Sequence, residues 1–184
     1  MGSVALRIED LPHYTYDDYV KWEGRWELIH GIPYAMVPAP TVKHQRLSVK
    51  IAHQLETLLT NCGTCRTLMP VDWQIDEYIV VQPDVLVVCG ADIEGEKLLI
   101  PPVLVFEILS PSTVRKDRII KYQLYEVAGV KYYCLVDPET SSAEVFELKD
   151  KNYRKIGTFE NDNVEFDIGE CTIAFDFSKV FTDG

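Results

Sequence analysis

The stretch Val103–Leu109, VLVFEIL, is an apolar run with an acid in its middle. Such a run reads as a strand, and a strand this apolar has to be covered by other layers of structure. Glu107 is the exception within it. An ionised carboxylate buried without a partner costs several kcal/mol or takes up a proton, so some other part of the chain must offset it. Asp84 repeats the anomaly in VVQPDVLVV, directly after Pro83. Proline cannot donate to a ladder and marks a strand start or a bulge, where side chains are often re-aimed. Glu27, in RWELI, is a third acid in a strand-like segment.

Three such acids suggest one common site. Carboxylates brought together repel one another unless a cation lies between them. A hard divalent ion with oxygen ligands, Mg²⁺ or Mn²⁺, is the economical answer. Such an ion binds phosphate oxygens and lowers the pKa of a bound water.

Along the chain, Thr15 and Asp18 resemble a capping box opening a short helix through Trp22. RWELIHGIPYAMV reads as a hairpin with His30-Gly31 at its turn. Thr41 caps a long helix to about Asn61, with Leu47, Ile51, Leu55 and Leu58 at helical spacing. Strands come next, near 66–76, 79–89 and 103–109. A second helix begins at Ser112 or Thr113, has Ile120, Leu124 and Val127 on its apolar face, and ends at Gly129. KYYCLVD is a further strand, then comes a hairpin, and the tail to Gly184 reads as short strands. The class is α/β (α+β): a mixed sheet flanked by two helices. With no repeat, linker or low-complexity tract, the whole of 1–184 reads as one domain, its core spanning roughly 12–180.

On the second helix, Asp117, Lys121 and Tyr125 recur at i, i+4 and i+8. Lys121 could stabilise charge developing on phosphorus beside the acids. On spacing alone a solvated Asp117–Lys121 ion pair is the plainer reading. His44 is a phosphate or water contact, a partner for Glu27, or a helix-surface imidazole. Arg115, Lys116 and Arg118 could touch backbone phosphates, though at least two of them read as a solvated helix face. Trp22, Trp26 and Trp73 read as core. So do Cys89 and Cys134, as free thiols packed like small hydrophobes. Cys62-Gly-Thr-Cys65 is a lone CxxC without the second pair a zinc site needs, and reads as two loop thiols.

Net charge is −11, which speaks against indiscriminate nucleic-acid binding. The ends, 1–24 and 137–184, account for −10 of it, so the centre is nearly neutral and carries two basic stretches. No apolar run reaches the roughly 18 residues of a membrane span. The start, MGSVAL, has neither a leader's apolar core nor a myristoylation signal. A cytoplasmic protein is the expectation, and a homodimer the commonest assembly for it.

In order, Glu27-Leu-Ile-His-Gly31, Thr41-Val-Lys-His44, Pro83-Asp84, Glu107-Ile-Leu-Ser-Pro-Ser-Thr113, Asp117, Lys121, Tyr125 and Gly129 resemble the Uma-two family. That family is a branch of the PD-(D/E)xK nuclease superfamily. The resemblance implies a restriction-endonuclease-like core and Mg²⁺-dependent hydrolysis of DNA phosphodiesters. Asp84 and Glu107 would be the metal ligands, Glu27 an additional acid and Lys121 the catalytic lysine. Leu109 stands where the superfamily usually has that lysine, so the resemblance implies its migration to the following helix. The rival readings are a nuclease-fold interaction protein without turnover, and a phosphoesterase acting on RNA or a small phosphoester.

Overall fold

The computed structural model describes residues 12–90, 93 and 95–182. The N-terminal stretch read for a leader or lipid signal lies outside them. Helix α1 (Tyr16–Tyr19) opens with the expected capping box, in which the Asp18 carboxylate accepts from the Thr15 N–H at 3.1 Å. Strands β1 (Trp26–Ile29) and β2 (Ile32–Ala35) form the expected hairpin. His30 and Gly31 both have positive φ, 51° and 73°, the backbone a two-residue turn of type I′ requires. Helix α2 (Val42–Leu58) starts where Thr41 accepts the His44 N–H, at 3.2 Å, and runs into a 3₁₀ turn at Leu59–Asn61.

The region 66–89, expected as two strands, holds four: β3 (Arg66–Leu68), β4 (Trp73–Asp76), β5 (Ile79–Val81) and β6 (Val85–Val88). The extra breaks have local causes. Asp76 accepts from the Tyr78 N–H at 2.7 Å and turns the chain between β4 and β5, while Pro83 lacks the N–H that would continue β5 into β6. Next come β7 (Leu104–Ile108), a π-helical turn at Lys116–Lys121, and α3 (Tyr122–Ala128), closed by Gly129 in the left-handed region. Strands β8 (Tyr132–Asp137), β9 (Ser142–Lys149), β10 (Asn152–Phe159), β11 (Asn163–Asp167), β12 (Thr172–Asp176) and the short helix α4 (Ser178–Phe181) complete the chain.

The central sheet has six strands in the order β10-β9-β8-β7-β6-β3; only β7 and β8 run parallel, so it is mixed. A second sheet, β2-β1-β5-β4, is antiparallel, and β11 pairs with β12. All of β7 is buried, and its alternating side chains serve two cores. Leu104, Phe106 and Ile108 pack with Leu47, Ile51 and Leu55 of α2 and with Phe166 and Phe175 of the β11–β12 pair. Val105 and Leu109 join Leu124 and Tyr125 of α3, Trp73, and Ile29 and Val81 of the second sheet. By the period of two, Glu107 points to this α3 side.

Two sequence expectations fail here. Val127 is 87% exposed rather than part of the α3 apolar face. The buried stripe is Asp117, Lys121, Leu124 and Tyr125, and Val127, two residues past Tyr125 in the regular α3, lies about 200° around the helix from it. Cys62, Cys65 and Cys89 are not free thiols either. Cys65 bonds Cys89, and Cys62 bonds Cys171. Arg66 pairs with Val88 across β3 and β6, and the next step of that register sets Cys65 opposite Cys89. Cys134 is free and buried, as expected. Among the described residues no helix is long and apolar enough to cross a membrane.

Candidate active site

The three anomalous acids do come together. Val85 pairs with Phe106, and one further step of that antiparallel register sets Asp84 opposite Glu107 at the end of the ladder. Lys121 reaches them from the helical turn after β7. Its Nζ lies 2.8 Å from Glu107 Oε1, 2.8 Å from Glu27 Oε1 and 3.8 Å from Asp117 Oδ1. Tyr125, one α-helical turn on, donates its hydroxyl to Glu107 Oε1 at 2.7 Å. His44 approaches from α2 and sets Nε2 3.1 Å from Asp84 Oδ2, which also accepts the Ile108 N–H at 2.8 Å. Of the roles open to His44 in the sequence, a partnership with Glu27 fails, because α2 lies on the other side of the sheet; its carboxylate partner is Asp84.

Asp84, Glu107, Asp117, Lys121 and His44 all line one cleft of about 980 Å³. Glu27 is fully buried behind the lysines. Its Oε2 accepts from Lys116, and its Oε1 takes the Gln82 N–H at 3.0 Å in addition to Lys121.

Known proteins share this arrangement of elements. A family model, Uma2, described as "Putative restriction endonuclease", matches residues 16–169. The chain belongs to this family. Among solved structures it is similar to the crystal structure of a protein described as a putative nuclease belonging to DUF820 from Anabaena variabilis ATCC 29413. The TM-score is 0.72 at 16% identity, covering 91% of this chain and 97% of that one, a likeness of fold. No functionally curated protein matches the chain. Family membership and fold together support a nuclease, a hydrolase of phosphodiester bonds.

In this Uma2 protein the electrostatics of the cluster are unbalanced. Four carboxylates (Glu27, Asp84, Glu107, Asp117) meet two lysines (Lys116, Lys121). Burial penalises the Lys121 ammonium, yet Glu107, Glu27 and Asp117 outweigh it and hold its pKa well above the ordinary lysine value. Burial likewise works against Glu27, but Lys121 and Lys116 win and its pKa is lowered. No such surplus remains for Glu107. Burial pushes its carboxyl well above the usual range, Asp84, Asp117 and Glu27 add to the rise, and Lys121 only partly offsets it. Asp117 is raised too, chiefly by burial, against the pull of Lys121. Tyr125 is held well above its ordinary value by burial and by Glu107, so it stays a phenol and donates.

A divalent cation fits that deficit. The hydrogen bonds to Asp84 fall on Oδ2 and those to Glu107 on Oε1, which leaves Oδ1 and Oε2 as hard donors. Among the described residues no three His, Cys, Asp or Glu side chains form a group that would hold a metal. Magnesium does not need one: it keeps several waters and is commonly held by one or two carboxylates plus phosphate.

Sequence reasoning missed part of the site. Lys116, which reads from the sequence as a phosphate contact or solvated helix face, is drawn inward to Glu27. Gln82 carries no sequence signal of its own, although it is next to Pro83-Asp84. Its Oε1 accepts from Arg25 at 2.9 and 3.1 Å, and its Nε2 donates to Asp72 at 2.7 Å. Arg118 is committed to Glu144, and Lys50 to carbonyls at the end of α4. Trp73 is core, as expected.

Proposed function

We propose that this chain is a metal-dependent DNA endonuclease, a single domain acting as a homodimer. The observation that carries the reading is Lys121. A lysine from the helix after β7, 2.8 Å from Glu107, supplies the cation that the superfamily pattern usually takes from the position of Leu109. Asp84 and Glu107 would hold Mg²⁺ or Mn²⁺ through their remaining oxygens. The ion, when bound, supplies charge to the phosphate oxygens and makes a water more acidic.

The chain's own residues do the rest. Lys121 keeps its proton and presents positive charge where negative charge develops on phosphorus. Glu27, together with Asp117, fixes the ammonium in place. The Tyr125 hydroxyl orients Glu107, and His44 with the Ile108 N–H orients Asp84, the kind of support that holds ligands in geometry. Burial of Glu107 and Lys121 keeps bulk water from screening these charges.

The test is cleavage of supercoiled plasmid and of single-stranded DNA in Mg²⁺ or Mn²⁺, with Asp84→Ala, Glu107→Ala and Lys121→Ala beside wild type. Metal-dependent cutting abolished by all three is the expected result. No cutting by wild type, or equal cutting by the variants, removes the catalytic reading in favour of an interaction protein. Light scattering checks the homodimer. The two disulfides weigh against the cytoplasmic expectation, because reducing compartments rarely sustain them.

A further inference from the structure

Two groups of the catalytic cluster are largely covered, Glu107 at 3% exposed and Lys121 at 2%, while the Asp84 side chain is 17% exposed. A scissile phosphate must therefore approach closely to meet them. A duplex is a stiff cylinder with a persistence length of about 150 bp, whereas a single strand turns at each nucleotide. The walls point the same way. Tyr34 and Met36 on and after β2, Val37 beyond them, Met69 and Ile119 line the cleft with apolar surface, and Val37, Met69 and Ile119 are 74%, 40% and 50% exposed. Paired bases stack on one another inside a duplex and present phosphate and sugar outward. Unpaired bases have faces to cover, and aromatic and apolar walls cover them.

Cations complete the lining. Arg25, Lys43 and Arg115 are exposed along the same cleft, one before β1, one on α2 and one on the helix after β7. Arg25 is pre-oriented. Its Nε and Nη2 both donate to Gln82 Oε1, and the Gln82 amide is pinned by Asp72, which leaves Nη1 for a phosphate. The Gln82 backbone N–H in turn holds Glu27, so this rim cation is tied to the lysine-binding floor.

We propose that the substrate of this cleft is single-stranded DNA, free or as an unpaired segment of a larger DNA, with a base against Tyr34 and a flanking phosphate on Arg25. This rests on the nuclease reading for the reaction and for DNA over RNA, but not for the preference for an unpaired strand. The strand enters between cationic rim groups, and its flexibility lets it bend a phosphate toward the largely covered Glu107 and Lys121.

Fluorescence anisotropy in Ca²⁺ tests it with three labelled probes: a single strand, the matching duplex, and the duplex with a single-stranded flap. Single strand and flap should bind about tenfold or more tighter than duplex. Tyr34→Leu should lose about tenfold on the single strand, and Tyr34→Phe, which keeps a ring, should recover it. Arg25→Ala should weaken binding and reduce the salt slope by about 0.7. Thermal melts confirm that each variant is folded. Tighter duplex binding, or equal losses with Tyr34→Leu and Tyr34→Phe, overturns the proposal, and tighter binding of single-stranded RNA overturns the DNA assignment. Cleavage in Mg²⁺ is read separately. A protein that prefers single strands through Tyr34 but cuts nothing refutes the nuclease and keeps this inference. A protein that binds and cuts duplex preferentially, by way of Asp84, does the reverse.

Discussion

Replacing Glu107 by glutamine separates the stability of the acidic cluster from its chemistry. Burial, with Asp84, Asp117 and Glu27 nearby, holds the Glu107 carboxyl well above the usual range against the pull of Lys121. A free glutamate titrates near 4.3, so the native state holds this proton more tightly than the unfolded chain. The corresponding stability is fully present below about pH 4.3 and is lost as pH rises through the folded pKa. While the native carboxyl stays protonated and the unfolded one is ionised, the loss is about 1.4 kcal/mol per pH unit. From about pH 5 to pH 8 it therefore reaches at most about 4 kcal/mol. Glutamine retains a carbonyl for Lys121 and Tyr125 and does not ionise, so Glu107→Gln escapes this loss. Asp117 is raised in the same direction and shares Lys121 with Glu107, and Glu27, whose pKa is lowered, weakens folding only as pH falls below about 4.3. The difference between the two profiles therefore reports the Glu107 carboxyl together with its effect on Asp117. The assay is urea unfolding in EDTA across that range, with cleavage in Mg²⁺ measured alongside. The variant should be the more stable protein at high pH and inactive. Parallel stability profiles would mean that Glu107 is ionised throughout and that the cluster is not short of positive charge.

Lys121→Met should destabilise the metal-free protein by about 3–5 kcal/mol, because it strands Glu27 without one of its two lysines in a buried setting. In a Glu27→Gln background the same change should cost about 0.5–3 kcal/mol less, and strictly additive unfolding energies would refute the pairing. Titrating thiols in denaturant should find one per chain without reductant, Cys134, and all five after reduction. Opening the Cys62–Cys171 bridge, which spans 109 residues, should lower stability by about 2–4 kcal/mol, read as a drop in the urea midpoint.

The acids of this site are legible in the sequence because they break a pattern. A carboxylate inside VLVFEIL, or after the proline of VVQPDVLVV, contradicts its surroundings and needs a partner. The partners break nothing. Lys116 and Lys121 lie on a helix where a cation every few residues is ordinary, and the spacing of Asp117, Lys121 and Tyr125 fits an exposed ion pair equally well. Only the family resemblance singles out Lys121. The π turn through Lys116–Lys121 explains why periodicity misses Lys116. Its i→i+5 repeat sets Lys116 and Lys121 on one side, where both reach Glu27. Gln82 is harder still, since it works through its backbone N–H and through an amide wedged between Arg25 and Asp72, residues far apart in sequence. The Cys65–Cys89 bridge depends on the β3–β6 register, which no local pattern around either cysteine reveals. Buried charge advertises itself in a sequence, whereas the groups that neutralise it are drawn from positions where polar residues are ordinary. The acids therefore locate the site, and only the three-dimensional pairing shows that its positive charge falls short.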